Sequence, residues 1–269
     1  MISFPNAKIN IGLYITDKRA DGYHNIESIF YPIAWQDALE ALPSEKLSFE
    51  SSGLEIPGKP ENNLILKAFH LLKDSLGGHA AKFHLHKVIP MGAGLGGGSA
   101  DGAFTLKLLN ELFELGLANE ILKNLAAELG SDCPFFIENK PVFCYDRGIR
   151  FKEISLDLSS YYIVVINPSI HISTAEAYAS ITPQKAKVNL MEVIKQPLSQ
   201  WKGQIENDFE KPLSVKYPLI AELKENLYQN GATYASMTGS GSTVYGIFEN
   251  EPDLKNQFDD YTVWKGKML

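Results

Sequence analysis

Cysteine is nearly missing: Cys133 and Cys144 are the only two in 269 residues. At most one disulfide can form, too few to staple a small secreted scaffold and typical of a reducing cytosol, so both are expected as buried thiols. Basic charge is also short. The 25 Lys and Arg against 32 Asp and Glu leave a formal charge of -7, which excludes a whole-surface field that would recruit nucleic acid or an anionic membrane. An anionic ligand must therefore be held by a local device. No stretch reaches the ~18 apolar residues of a membrane-spanning helix. The opening MISFPNAKINIGLYI has no basic region ahead of its apolar residues, and Asn6, Lys8 and Asn10 interrupt the run that a signal peptide needs. The expectation is a cytoplasmic protein without nucleic-acid or membrane partners. Internal repeats and low-complexity segments are absent as well.

What is present is ordinary globular composition, 45% hydrophobic and 21% charged, in a length that suits between one and two domains at ~150 residues each. Residues 2–15 and 25–33 read as strands around an Asp21-Gly22 turn, and 46–51 as another. Asn62 and Asn63 can cap a helix whose apolar face is Leu64, Ile65, Ala68, Phe69, Leu72 and Leu76, stopped by Gly77 and Gly78. A strand over 82–89, a glycine-rich loop and a helix capped by Ser99 follow in direct succession, then a helix over 119–129 and strands over 141–145 and 150–154. Beyond a polar patch at 155–161 come a strand over 162–166 and helices over 173–180, 190–194 and 217–229. Strands over 233–237 and 243–248, a short helix from Pro252 and a last strand over 261–265 close the chain. This order predicts an α+β protein with its domain boundary in the polar patch, giving 1–158 and 159–269.

The most informative segment is Pro90-Met-Gly-Ala-Gly-Leu-Gly-Gly-Gly-Ser-Ala-Asp101, with five glycines in seven positions ahead of a helix. Successive backbone N–H groups there can point at one anion, glycine permits close approach, and the helix N-terminus adds partial positive charge. The Ser99 hydroxyl can serve a phosphate oxygen or a metal ion. Gly92-x-Gly94-x-x-Gly97 also matches the dinucleotide fingerprint, which would make the chain a nicotinamide-dependent oxidoreductase. That fold needs a second parallel strand ending in an acidic residue ~20 residues on, whereas 119–129 reads helical and Pro90 interrupts the tight turn. Gly53 to Lys59 has Walker spacing, but Pro60 stands where Ser or Thr is required. His84 and His86 share one strand face, which without a third ligand reads as a solvated face.

The loop PMGAGLGGGSAD resembles that of the galactokinase, homoserine kinase, mevalonate kinase and phosphomevalonate kinase superfamily. Three more segments, AKINIGLYITDKRADGYHNIESIF (7–30), GSDCPFF (130–136) and MTGSGSTVYGIF (237–248), resemble its family of kinases acting on 4-diphosphocytidyl-2-C-methyl-D-erythritol. The resemblance runs in matching order over nearly the whole chain. It implies an N-terminal half like the second domain of ribosomal protein S5 and a ferredoxin-like C-terminal half. The implied reaction is transfer of the ATP γ-phosphoryl group to the acceptor's 2-hydroxyl, with Mg²⁺.

Taken alone, Asp132 reads as a loop carboxylate at a helix end and Lys8 as a surface lysine on a strand; the resemblance implies that they are the catalytic aspartate and its lysine partner. It assigns ATP and phosphate binding to Pro90, Gly92, Gly94, Leu95, Gly96, Gly97, Gly98 and Ser99, with Ser99 also on the metal. Asp101 would be a local helix-turn acceptor. For the cytidine diphosphate conjugate of methylerythritol, it implies Tyr23 stacking on the base, His24 reading the base edge and Tyr178 as a second aromatic. Asn10 and Thr174 would lie near the diphosphate, and the Gly239-Ser240-Gly241 turn would donate N–H groups. A small-molecule acceptor and a monomer or weak homodimer complete the expectation. Another superfamily kinase, or a non-catalytic nucleotide-binding module, is the alternative; the Tyr23-His24 pair speaks against the first and the Lys8 and Asp132 pair against the second.

Overall fold

The computed structural model describes residues 1–254 and 257–269. After a short β1 (Ile2–Ser3) come two 13-residue strands, β2 (Asn6–Lys18) and β3 (His24–Gln36). The expected turn joins them: Gly22 sits at φ 85° and Arg19 N–H donates to the Tyr23 carbonyl at 2.9 Å. β4 (Ala38–Ser44) and β5 (Ser48–Gly53) follow. α1 (Leu64–Leu72) starts where Asn63 Oδ1 accepts from Ile65 N–H at 2.8 Å, as a helix cap should. Then come β6 (Ala80–Lys87), α2 (Gly97–Leu112), α3 (Asn119–Leu129) and α4 (Phe135–Glu138). The rest is β7 (Val142–Tyr145), β8 (Arg150–Glu153), β9 (Tyr162–Asn167), α5 (Thr174–Ala179), α6 (Leu190–Val193), α7 (Glu210–Lys216), α8 (Leu219–Gln229), β10 (Tyr234–Met237), β11 (Val244–Phe248) and β12 (Thr262–Lys267). The helix expected from Pro252 runs into residues 255–256, which lie outside the described residues.

These elements form two compact units built from interleaved chain segments, and both mix helices with strands, as an α+β fold requires. The first comprises residues 1–7, 35–91 and 96–140, and its sheet has the order β1-β4-β6-β5. β6 alternates strictly, with Ala81, Phe83, Leu85 and Lys87 buried and Lys82, His84 and His86 exposed. The apolar stripe of α1 (Ile65, Ala68, Phe69, Leu72) and the inner residues of α2 complete this core. β6 pairs antiparallel with β4 and parallel with β5, so the strand before the glycine loop is not part of a doubly wound parallel sheet and the dinucleotide match has no structural counterpart.

The second unit comprises 8–34, 92–95 and 141–269, with sheets β2-β3-β7-β8 and β10-β11-β9-β12. Position 158/159 lies within this second unit, where residues from both sides of it meet, as in the hydrogen bond from Asn10 N–H to Thr238 Oγ1 at 3.0 Å. β9 carries four fully buried residues, Ile163 to Ile166, at the centre of the other sheet. Counted along the chain, that antiparallel sheet has the order 2-3-1-4, the ferredoxin-like arrangement. Among the described residues no helix is long and apolar enough to cross a membrane.

Candidate active site

In the first unit the end of the glycine loop, from Gly96, runs into α2, and the cap is not Ser99. Gly96 is the N-cap residue, at φ 71° and ψ 10°, and its carbonyl accepts from Ala100 N–H at 2.9 Å. Glycine enters this left-handed conformation without penalty, so the helix begins three residues earlier than a serine cap would place it. Ser99 therefore lies in the first turn, where the N–H groups of Gly97, Gly98 and Ser99 precede the first helical hydrogen bond. Three open donors at the positive end of a 16-residue helix form an anion cradle. A side chain at Gly97 would meet Ile89 Cγ2 at 2.9 Å and Lys87 Nζ at 3.1 Å, so the cradle is also packed tightly from below.

Beneath it lies a buried ionic cluster that sequence reasoning missed. Lys87 Nζ donates to Asp37 Oδ2 at 2.5 Å and to Asp101 Oδ2 at 2.7 Å, with the three side chains 0%, 0% and 6% exposed. Asp37 Oδ1 also accepts the N–H groups of Val88 and Ile89, at 2.6 and 2.9 Å. Burial pushes the Asp101 carboxyl up to about 7; Lys87 pulls it down and the neighbouring Asp37 charge raises it again. Asp101, on α2, is thus an ion-pair partner of Lys87 on β6 rather than a local helix-turn acceptor, and its Oδ1 has no hydrogen-bond partner among the described residues. With Met91 and Gly98, Asp101 lines a cavity of about 390 Å³ whose far wall is residues 53–60, the segment with false Walker spacing. The alternation of β6 was the available signal, since it places Lys87 in line with Phe83 and Leu85.

Asp132 is half-buried in the turn after α3, next to Cys133. Burial pushes the Cys133 thiol up to about 12, a hydrogen bond from Ser99 pulls it the other way, and the Asp132 charge adds to the rise. The thiol is therefore protonated at neutral pH and unfit as a nucleophile. These interactions bring Ser99, Cys133 and Asp132 into one neighbourhood beside the cradle. Among the described residues no three His, Cys, Asp or Glu side chains converge on a metal-sized site; His84 Nε2 and His86 Nδ1 instead share the Ser52 hydroxyl at 2.9 and 3.0 Å.

In the second unit Lys8 is 3% exposed, not a surface lysine. Its Nζ donates to Asn10 Oδ1 at 2.5 Å and to the Gly94 carbonyl at 3.3 Å, and lies 4.7 Å from the Phe30 ring centroid. Its N–H holds the Leu95 carbonyl at 2.9 Å. Asn10 is the hub of this arrangement. Its Nδ2 donates to Ser28 Oγ at 2.8 Å, its Oδ1 accepts from Gly239 N–H at 3.1 Å, and its own N–H donates to Thr238 Oγ1 at 3.0 Å. The Gly239 and Gly241 N–H groups expected to serve a ligand are taken by Asn10 Oδ1 and the Thr238 carbonyl. A side chain at Gly94 would stand 2.2 Å from the Thr238 carbonyl oxygen, so glycine is required where the loop meets this turn. Asn207 Nδ2, another residue missed from sequence, fixes the turn by donating to the Met237 and Gly239 carbonyls at 2.8 and 2.9 Å.

The aromatic residues lie in the same unit. The His24 and Tyr178 rings stack directly, with centroids 4.8 Å apart and planes at 23°, and Tyr178 meets Phe209 edge-on at 5.0 Å. Tyr23 is 60% exposed and Thr174 opens α5 on the surface. Of the expected site residues, the first unit thus holds Pro90, Gly96 to Ser99 and Asp132. The second holds Lys8, Asn10, Tyr23, His24, Gly92, Gly94, Leu95, Thr174, Tyr178 and the 239–241 turn.

Comparison with known proteins adds an independent finding. Residues 63–140 match the model for the GHMP kinases N terminal domain and residues 191–261 that for GHMP kinases C terminal. A 4-diphosphocytidyl-2-C-methyl-D-erythritol kinase from Cytophaga hutchinsonii is 50% identical over 94% of both chains. A crystal structure of 4-(cytidine 5'-diphospho)-2C-methyl-D-erythritol kinase superposes with a TM-score of 0.82 at 28% identity, covering 100% of this chain and 99% of the other. The homoserine kinase of Cytophaga hutchinsonii shares the fold alone, at 15% identity and a TM-score of 0.65 over 98% and 95% of the two chains.

Proposed function

The chain belongs to the GHMP kinases, among the 4-diphosphocytidyl-2-C-methyl-D-erythritol kinases, and on that premise we propose that it transfers the γ-phosphoryl group of ATP to the 2-hydroxyl of 4-diphosphocytidyl-2-C-methyl-D-erythritol, a step of non-mevalonate isoprenoid precursor synthesis. The observation that carries this reading is the 50% identity, over 94% of both chains, to a relative bearing that activity's name. The acceptor oxygen bonds to the γ-phosphorus as the bond from that phosphorus to the β–γ bridging oxygen breaks. ADP leaves, and the hydroxyl proton passes to Asp132.

Phosphoryl transfer demands alignment and neutralised charge more than covalent help from the protein. The N–H groups of Gly97, Gly98 and Ser99 hold the phosphates, and the adenosine end of ATP occupies the cavity beside Met91 and Gly98. Lys8, pinned by Asn10 and Gly94, offers fixed positive charge for the developing alkoxide and for Asp132. Asn10 acts through Lys8, because its own side chain is already bonded to Ser28, Lys8 and Gly239. Ser99, with Asp132 in the same neighbourhood, would hold Mg²⁺, which needs no dedicated protein cage. When bound it neutralises charge on the phosphates.

At the acceptor end the base stacks on Tyr23, with His24 reading its edge and Tyr178 backing His24. Thr174 lies near the acceptor's diphosphate, and in the 239–241 turn the donor role falls to Ser240. The protein works in the cytoplasm on small molecules, as a monomer or weak homodimer. The test is ADP release with Mg·ATP and the cytidylated acceptor, beside mevalonate and homoserine. Release is expected with the cytidylated acceptor alone, and Asp132→Asn is expected to lower kcat at least ~100-fold. Release with a rival acceptor would keep the fold and refute the substrate.

A further inference from the structure

The hairpin turn between β7 and β8, residues 146–149, is fastened to the Tyr23 turn by a compact polar cluster. The Asp146 carbonyl accepts from Ile26 N–H at 2.7 Å. Asp146 Oδ1 receives Arg19 Nη1 at 2.5 Å, and its Oδ2 lies 3.3 Å from Arg150 Nε. Arg19 Nε also meets Asp21, whose Oδ1 accepts the Tyr23 N–H at 3.1 Å. Asp146 adopts φ 60° and Gly148 φ 82°, and a side chain at Gly148 would stand 3.1 Å from Ile26 Cδ1. The turn is thus seated closely on β3, in a defined position relative to Tyr23 and His24.

One side chain of this cluster makes no direct ion pair. Arg19 and Arg150 contact the two carboxylates, while Arg147 has no carboxylate oxygen within 4 Å among the described residues and acts on Asp21 only through its charge; its guanidinium lies over the exposed Tyr23 ring, 5.0 Å from the centroid. Such a contact is weak at an exposed site, so an arriving base displaces it readily. Three arginines against two aspartates also leave the cluster one positive charge, in a chain whose formal charge is -7.

We infer that Arg147 is a substrate-binding residue whose guanidinium pairs with the diphosphate of the cytidylated acceptor once the base has taken the Tyr23 face. This rests on the acceptor reading proposed above. A planar guanidinium matches two phosphate oxygens at once, whereas a lysine there is only a point charge. The cation also meets a requirement of the composition, since a polyanion approaching a negatively charged protein must be met by local positive charge.

Calorimetric titration of cytidine and of cytidine 5'-diphosphate, with saturating ADP filling the phosphate loop, tests the assignment. Arg147→Ala is expected to weaken cytidine 5'-diphosphate about tenfold and leave cytidine unchanged, with Arg147→Lys between. Unaltered melting of both variants checks the fold. Equal weakening of both ligands would assign Arg147 to the base and overturn the inference, as would an unchanged diphosphate affinity. If wild-type protein bound neither ligand, the acceptor reading itself would fail; if it bound both and only the arginine effect were missing, that reading would stand.

Discussion

The Lys87 cluster of the first unit and the Arg19 cluster of the second are made of the same ingredients, cations flanked by aspartates. They differ in solvent access. The Lys87, Asp37 and Asp101 side chains are almost wholly enclosed, whereas Arg19 and Asp146 are 32% and 22% exposed. Enclosure makes each charge depend on its partner, because a lone buried ion is costly. Water screens the second cluster and leaves each pair worth little. The first can therefore serve as a foundation under the phosphate cradle, while the second can spare Arg147 for a ligand.

The comparison breaks most visibly at Lys87. Lys87→Met should destabilise the protein by about 3–5 kcal/mol, because Asp37 and Asp101 are left buried without their cation; denaturant unfolding measures it, and a loss under 1 kcal/mol would remove the contrast. A smaller effect sharpens the picture at Asp101. Its carboxyl is held above its unfolded value of 3.8, at about 7, so its stabilising contribution is present below the unfolded value and is lost as pH rises through about 7. Stability should fall over that window by roughly 1–3 kcal/mol, and Asp101→Asn should flatten the limb; parallel pH profiles for the two proteins would contradict this. The smallest effect belongs to the exposed cluster. Arg150→Ala should change unfolding stability by no more than about 0.5 kcal/mol, since Asp146 keeps Arg19.

Local elements were legible because short-range chemistry sets them. The Asp21-Gly22 turn, the Asn63 cap and both ends of α3 follow from residues within a turn of each other. β4, whose ALEALPS sequence has little β character, forms because β1 and β6 pair with it on either side. α7 contains Pro212 and was also missed. The α2 cap went to Gly96 because backbone conformation outweighed hydroxyl chemistry. The residues proposed as catalytic and base-binding came from the resemblance. What neither route disclosed were the long-range partners: Asp37 and Lys87 are 50 positions apart, and Asn207 reaches a turn 30 residues on. Such pairs are set by topology, which no local pattern records.

The central claim is tested most directly by the product. Carbon 2 of a 2-C-methyl erythritol bears no hydrogen, so a phosphate on its hydroxyl has no proton three bonds from phosphorus. Proton-coupled ³¹P spectroscopy of the reaction with Mg·ATP and 4-diphosphocytidyl-2-C-methyl-D-erythritol should show one new phosphomonoester singlet growing as ADP forms. A new resonance split by carbinol protons would place the phosphate on another hydroxyl, and no new resonance beside a working ATP supply would contradict the account.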